Sequence, residues 1–357
     1  MKNNIKVLTT ILTMMASLSM FAEDITFADS NVKALCVANW DSNNDGEISF
    51  EEAASVTALG TVFREKTNIS SFEELSYFTG LTAINDYAFY KNSIQKIAFP
   101  SSVSSIGQYA FAQSKISGEL RIPGNVKDID HYAFNACQSI TRVVLEEGVE
   151  TVGWHTFSGP IKSMLLPTTL TFMSSMAVDP YVNADPSSGI FVPDGDLYIY
   201  THATTPAAIN QFAYYYMFGD GHLVVPTGTI AAYKAEEGWA HFKEYLEFGD
   251  INMDGEIDNT DLGLIDDYLG GEAGDDFNKD IADTNGDGVV DEVDVQNISD
   301  IISQGETTGI ENTYVKDDNS YNGTSDVYNL NGQKVGTSLD GLPKGIYIVR
   351  GRKVLVK

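Results

Sequence analysis

The chain is 357 residues long, with 43% hydrophobic and 11% aromatic residues, enough apolar material for a packed core and for two or three domains rather than one. Its 50 acids against 22 bases give a net charge of −28, which argues against nucleic acid and anionic membrane surfaces as principal partners and suits cation binding or a soluble extracellular surface. Two cysteines, Cys36 and Cys137, are too few for a disulfide framework, and both lie in runs that read as buried.

The first residues, MKNNIKVLTTILTMMASLSMFAED, place Lys2 and Lys6 ahead of a mostly apolar stretch from Val7 to Met20 and small residues near Ala22. This is the pattern of a secretory signal peptide over residues 1–22, cleaved near Ala22 and too short to be a comfortable membrane span. No later stretch is long and apolar enough to cross a bilayer.

The dozen DSNNDGEISFEE begins at 41. Asp41, Asn43, Asp45, Glu47, Ser49 and Glu52 occupy positions 1, 3, 5, 7, 9 and 12, with Gly46 at the sharp turn and Ile48 in the apolar slot at 8. That spacing is what a calcium loop requires, and hard oxygens without His or Cys select calcium over zinc. The apolar run from Val32 to Trp40 before it and FEEAASVTALGTVF after it predict helix–loop–helix. Residues 23–60 then form an EF-hand-like cap over the open end of a stack of repeats.

Those repeats run from 61 to 248. YFTGLTAINDYAF, FPSSVSSIGQYAF, IPGNVKDIDHYAF and LEEGVETVGWHTF end at Phe89, Phe111, Phe134 and Phe157, spaced by 22, 23 and 23 residues, and a degenerate fifth copy ends at Val178. Counting back, four positions are apolar in every copy. They are −14 (Leu75, Ile97, Leu120, Val143, Met164), −12 (Tyr77, Phe99, Ile122, Leu145, Leu166), −8 (Leu81, Val103, Val126, Val149, Leu170) and −5 (Ile84, Ile106, Ile129, Val152, Met173). The step from −14 to −12 is strand spacing, and Pro100, Pro123 and Pro167 end that strand. One unit cannot bury these faces alone but stacked neighbours can, so the prediction is an α+β solenoid with one short strand per repeat. The motif IAFPSSVSSIGQYAF resembles the leucine-rich repeats of the BspA-like bacterial surface proteins. The resemblance implies adhesion to host or neighbouring-cell proteins through the repeat face. GTIAAYKAEEGWAHFKEYL reads as a terminal helix with Trp239, Phe242 and Leu246 capping the stack.

Two more acidic dozens stand 33 residues apart, DINMDGEIDNTD and DTNGDGVVDEVD. Asp250, Asn252, Asp254, Glu256, Asp258 and Asp261 fit the first, and Asp283, Asn285, Asp287, Val289, Asp291 and Asp294 the second. Position 7 supplies a backbone carbonyl, so Val289 fits. The chain is thus expected to bind up to three calcium ions. Each of the two loops precedes a short helical stretch, and no clear entering helix precedes either. Residues 249–304 resemble a dockerin module, small and all-α. The resemblance implies a cohesin-like partner read by loop positions 10 and 11, here Asn259, Thr260, Glu292 and Val293.

Residues 305–324 are polar and read as a linker. VYNLNGQKV and GIYIVRGRKVLVK then predict a small β unit over 325–357, similar to the sorting tail of type IX secretion in Gram-negative bacteria. Five scattered histidines and no nucleophile or zinc-protease motif give no sign of catalysis. The sequence therefore predicts a non-catalytic, secreted or cell-surface, calcium-binding repeat protein for protein–protein interaction or adhesion. The alternative is a non-catalytic dockerin-bearing subunit of an extracellular polysaccharide-degrading assembly.

Overall fold

The computed structural model describes residues 23–174, 177–179, 197–209, 221–274, 277–308, 327–329, 333–337, 345–349 and 352–356. The expected signal peptide and most of the expected linker lie outside these residues. The chain divides between Leu246 and Glu247 into two compact units.

The first unit is a parallel β-solenoid in which each repeat contributes two short strands. Strands Ser117–Ile122, Ser139–Leu145, Ser163–Leu166, Tyr198–Thr201, His222–Val225 and Glu244–Glu247 form one six-stranded sheet. Its register aligns Leu120, Val143, Met164, Ile199 and Leu223. A second six-stranded sheet consists of two-residue strands, and its register aligns Ile84, Ile106, Ile129, Val152, Met173 and Ile209. Side chains from both sheets fill one continuous core. The −8 and −5 columns are buried throughout.

Between the sheets runs a column of fully buried phenylalanines. Phe63, Phe89, Phe111, Phe134 and Phe157 succeed one another at ring separations of 5.2, 4.9, 5.0 and 5.5 Å and within 14° of parallel. Val178 pairs with Phe157 in register and continues the column. Phe63 is the foot of a copy that sequence spacing missed, because 26 residues rather than 22 or 23 separate it from Phe89.

At the start of the unit, helix α1 (Ser30–Trp40) and helix α2 (Phe50–Ser55) lie over the first repeat. Trp40 meets Phe63 and Phe78 at 6.0 and 5.7 Å. Asp29 caps α1 by accepting from Asn31 and Val32, and its other oxygen accepts from the Ser70 amide and hydroxyl. Helix α2 is one short element. The rest of the expected helix is a run of turns.

The first copy departs from the expected alignment. Leu75 and Tyr77 lie on a 3₁₀ turn, Glu73–Tyr77, and it is Phe72 that pairs with Ile97. The copy is three residues longer than its neighbours, which makes room for that turn; it buries Leu75 but leaves Tyr77 exposed. A second correction concerns 228–246, read as one helix. It is helix α3 (Ile230–Ala235), a 3₁₀ turn at Glu237–Trp239 and a strand at Glu244–Glu247. The strand forms because it can extend the sheet beside His222–Val225, and Trp239 still stacks near Phe242 at 6.2 Å.

The second unit contains helices α4 (Asn259–Gly270), α5 (Lys279–Ala282) and α6 (Glu292–Thr308). Ile251, Ile265, Ala282, Val290 and Ile298 form its core. The one-turn α5 does enter the third acidic loop, and α6 runs four residues into the expected linker. Strands Val327–Asn329, Lys334–Gly336, Gly345–Val349 and Arg352–Val356 make an antiparallel sheet.

Candidate calcium loops and binding surfaces

The three acidic loops share one hydrogen-bonding plan. At position 1, Asp41, Asp250 and Asp283 each accept from the glycine at position 6, at 2.9, 3.0 and 2.8 Å. The asparagine at position 3 accepts from the backbone at position 5, and its amide donates to that residue's carboxylate, in all three. At position 12, Glu52, Asp261 and Asp294 accept from the backbone of positions 2, 3 and 9. Positions 4 and 6 are left-handed in every loop, at Asn44 and Gly46, Met253 and Gly255, Gly286 and Gly288. Repetition of the same two φ > 0 residues is why glycine recurs at 6.

Position 9 has a second task. Ser49 and Asp258 cap α2 and α4 in reciprocal capping boxes with Glu52 and Asp261, and Asp291 accepts from Val293 at the start of α6. At position 7, Glu47 pairs its side chain with Lys33, Glu256 is exposed, and so is Val289. The apolar position 8 is buried as Ile48 and Val290.

Electrostatics separates the first loop from the other two. Burial pushes up the pKa of Asp250 and Asp283; accepted backbone hydrogen bonds oppose this, and the neighbouring carboxylates Asp261 and Asp254, or Asp294 and Asp287, raise it further. Burial acts on Glu52 too, but hydrogen bonds from Ser49 and Ser42 outweigh it and hold the carboxyl at about 2. Among the described residues no three acidic, His or Cys side chains stand close enough to bind a metal by themselves. The loops fit a hard cation through a mixed oxygen set, in which an asparagine oxygen and backbone carbonyls join the carboxylates.

The four dockerin-type positions are presented together with their helices. Asn259 and Thr260 open α4, Glu292 and Val293 open α6, and all four are exposed. Val289 and Leu269 add exposed apolar surface to the same unit.

The repeats carry a surface that sequence spacing did not single out. A groove of about 670 Å³ runs along the second sheet, over the rungs of Ile84, Ile106, Ile129 and Val152. Asn85, Asp86, Asp128, Asp130, His131 and Thr151 line it. One oxygen of each aspartate is used within the protein: Asp86 accepts from the Gln108 amide, Asp128 from the Thr151 hydroxyl, Asp130 from the His131 amide. Beside the groove stands a column of half-exposed rings. Tyr87, Tyr109, Tyr132 and His155 stack at 5.0, 4.7 and 5.4 Å, and exposed Trp154 sits edge-on to Tyr132 at 5.6 Å. The signal was in the sequence, since position −2 of the repeat reads Tyr, Tyr, Tyr, His. Each of these residues is left-handed, with φ between 48° and 61°, which turns its ring out of the core.

Cys36 and Cys137 are free and buried, and burial raises both thiols, that of Cys137 to about 11. No helix among the described residues is long and apolar enough to cross a membrane.

Comparison with known proteins matches two segments. A BspA type leucine rich repeat region, in six copies, covers residues 61–179, and a dockerin type I domain covers 248–303. The sixth copy agrees with the column that begins at Phe63. Among solved structures, a leucine-rich repeat protein from Bacteroides ovatus ATCC 8483 is 14% identical over 51% of this chain and 59% of that one, with a TM-score of 0.21. A leucine rich cell surface protein from Faecalibacterium prausnitzii A2-165 is 14% identical over 50% of this chain and 63% of that one, with a TM-score of 0.18. The chain thus spans less than two thirds of either neighbour. No curated protein matches.

Proposed function

We propose that this chain, which carries BspA-type leucine-rich repeats at 61–179 and a type I dockerin domain at 248–303, is a secreted or cell-surface protein that acts by binding other proteins. Both matched families are non-catalytic interaction modules, so the reading assigns no reaction to either segment. The dockerin domain would hold a cohesin-type partner through Asn259, Thr260, Glu292 and Val293, and the repeats would hold a second protein ligand. Calcium would be held by Asp250, Asn252, Asp254, Asp258, Asp261 and the carbonyl of Glu256. In the next loop the holders would be Asp283, Asn285, Asp287, Asp291, Asp294 and the carbonyl of Val289. An EF-hand-like site at Asp41, Asn43, Asp45, Ser49, Glu52 and the carbonyl of Glu47 would take a third ion.

One observation carries the reading: two loops of identical hydrogen-bonding plan each bury an aspartate among other carboxylates, a charge arrangement that a divalent cation relieves. The test is calorimetric titration of calcium into the full chain, followed by capture of cohesin modules with and without chelator. Three ions are expected, falling to one in the D261A/D294A double variant, which should also lose capture. Calcium binding that survives D261A/D294A in full would refute the assignment of those loops. Cohesin capture unaffected by chelator would refute the calcium-dependent partner.

A further inference from the structure

We infer that the groove along the second sheet of the repeats is a docking site for an extended, lysine- or arginine-bearing peptide segment. The inference deepens the proposed function by naming the chemistry of the repeat domain's ligand, and it rests on that reading.

Three features of the groove converge on a cationic occupant. Asp86, Asp128 and Asp130 each spend one carboxylate oxygen on the protein and keep the other unused, and among the described residues no lysine or arginine lines the groove. His131, close to Asp130 at 3.0 Å, is its one nitrogen base among those residues. The rungs beneath are fixed: a Cβ on Gly107 would come within 2.4 Å of an Asp86 oxygen, and one on Gly153 within 2.6 Å of the His131 backbone nitrogen. The carboxylates therefore sit on a rigid ladder that needs no rearrangement to receive a ligand.

The ring column shows what kind of cation fits beside it. At its first rung the chain already uses the contact, with the Arg64 guanidinium 5.2 Å from the Tyr87 ring and 5.6 Å from Tyr90, and the Lys91 ammonium 5.1 Å from Tyr90. At the far end Trp154 is 38% exposed, and its ring contacts are Tyr132 and His155, with no lysine or arginine of the described residues over it. A cationic side chain of a ligand can occupy that position as Arg64 does the first. Asp86 to Trp154 spans three rung steps of about 4.8 Å each, roughly the length of four extended residues. In a strand-like segment alternate side chains share one face, so alternate basic side chains all enter the groove, where the carboxylates and the bordering rings lie side by side. Neutral glycan is the competing occupant, and the unpaired charge disfavours it.

The probe is a fluorescein-labelled seven-residue peptide alternating glycine and lysine, followed by anisotropy against the full chain in saturating calcium, so that the acidic loops are filled. The variant D86N/D128N/D130N keeps every acceptor the backbone uses and should weaken binding about tenfold, since each exposed pair is worth up to about a factor of five. W154A should weaken it about two- to fivefold. The control E73Q/E236Q/E237Q removes the same charge from exposed positions outside the groove and should leave binding nearly unchanged. The inference is overturned if both triple variants weaken binding alike, if the wild type does not bind the peptide, or if a neutral oligosaccharide competes for the site. Calcium-dependent capture of cohesin, which depends on the other unit's loops, reads the proposed function separately.

Discussion

Replacing Phe111 by leucine tests whether the solenoid is held rung by rung. Phe111 is fully buried and lies between Phe89 at 4.9 Å and Phe134 at 5.0 Å, with Phe99 edge-on at 5.8 Å. Among the described residues Phe157 has only one such neighbour among the phenylalanines, Phe134 at 5.5 Å, because the next rung offers Val178. Leucine retains most of the apolar volume, so the main loss is the ring–ring term, about 0.5–1.5 kcal/mol per pair. F111L removes three pairs and should cost about 2–3 kcal/mol, whereas F157L removes one and should cost about 1 kcal/mol. Urea denaturation monitored by far-UV circular dichroism, with calcium held constant, reads both. Nearest-neighbour coupling in a one-dimensional stack predicts this ordering. Equal losses at the two rungs would refute it, because they would mean that burial alone, identical at both sites, sets the cost.

The same geometry sets further expectations. Asp29 ties α1 to the first repeat; burial alone would raise its pKa, but hydrogen bonds from Ser70, Asn31 and Val32 outweigh this and hold it below the ordinary 3.8. D29A should cost about 1–2 kcal/mol, chiefly from the lost cap. The contribution of a depressed carboxyl is complete above 3.8 and lost as pH falls through the lower folded value. The gap between wild type and D29A in thermal melts should therefore shrink on acidification below about pH 4, and a gap that widened there would contradict the assignment. Ala136 is left-handed at φ 55°, so A136G should raise stability by about 0.5–1 kcal/mol in the same urea assay. Calcium at a hundredfold its dissociation constant should stabilise unit two by about 2.7 kcal/mol per ion, about 5.4 kcal/mol for the two loops, visible as a rise in its melting temperature that chelator reverses.

The solenoid was legible in sequence because its core positions recur: −8 and −5 are buried in every copy, and the ladder Ile84 to Met173 is that −5 column. The calcium-type loops were legible for a different reason, since each needs oxygens and a glycine at fixed offsets within one dozen residues. What failed did so where length rather than composition changed. The copy at Phe63 is set back by a longer spacing, and three extra residues moved Leu75 and Tyr77 onto a 3₁₀ turn while Phe72 took the strand position. In 228–246 helical periodicity lost to an available sheet edge, as tertiary pairing outweighs local preference. The groove was invisible because its residues are outward positions, and only their stacking in register makes −3, −4 and −6 side chains of different repeats into neighbours.

The same loop plan is put to two uses, and the difference lies in what each loop packs against. In the first, backbone around position 8 bridges to the segment ahead of α1: Ile25 donates to the Ile48 carbonyl at 2.8 Å, and Asp24 faces Ser49 in an antiparallel bridge. Its flanking segments lie on Phe63, Phe72 and Phe78, so order in that loop is order at the end of the solenoid. A solenoid's terminal rung has a neighbour on one side only, and a stiffened end raises the cost of fraying there. The other two loops share one small core of Ile251, Ile265, Ala282, Val290 and Ile298, with few apolar contacts to spare. For such a unit the free energy of ion binding is a large fraction of its folding free energy. Calcium at the first loop would thus adjust the edge of a structure that the phenylalanine column already holds. At the pair it would decide whether α4 and α6 present Asn259, Thr260, Glu292 and Val293 on a formed surface at all.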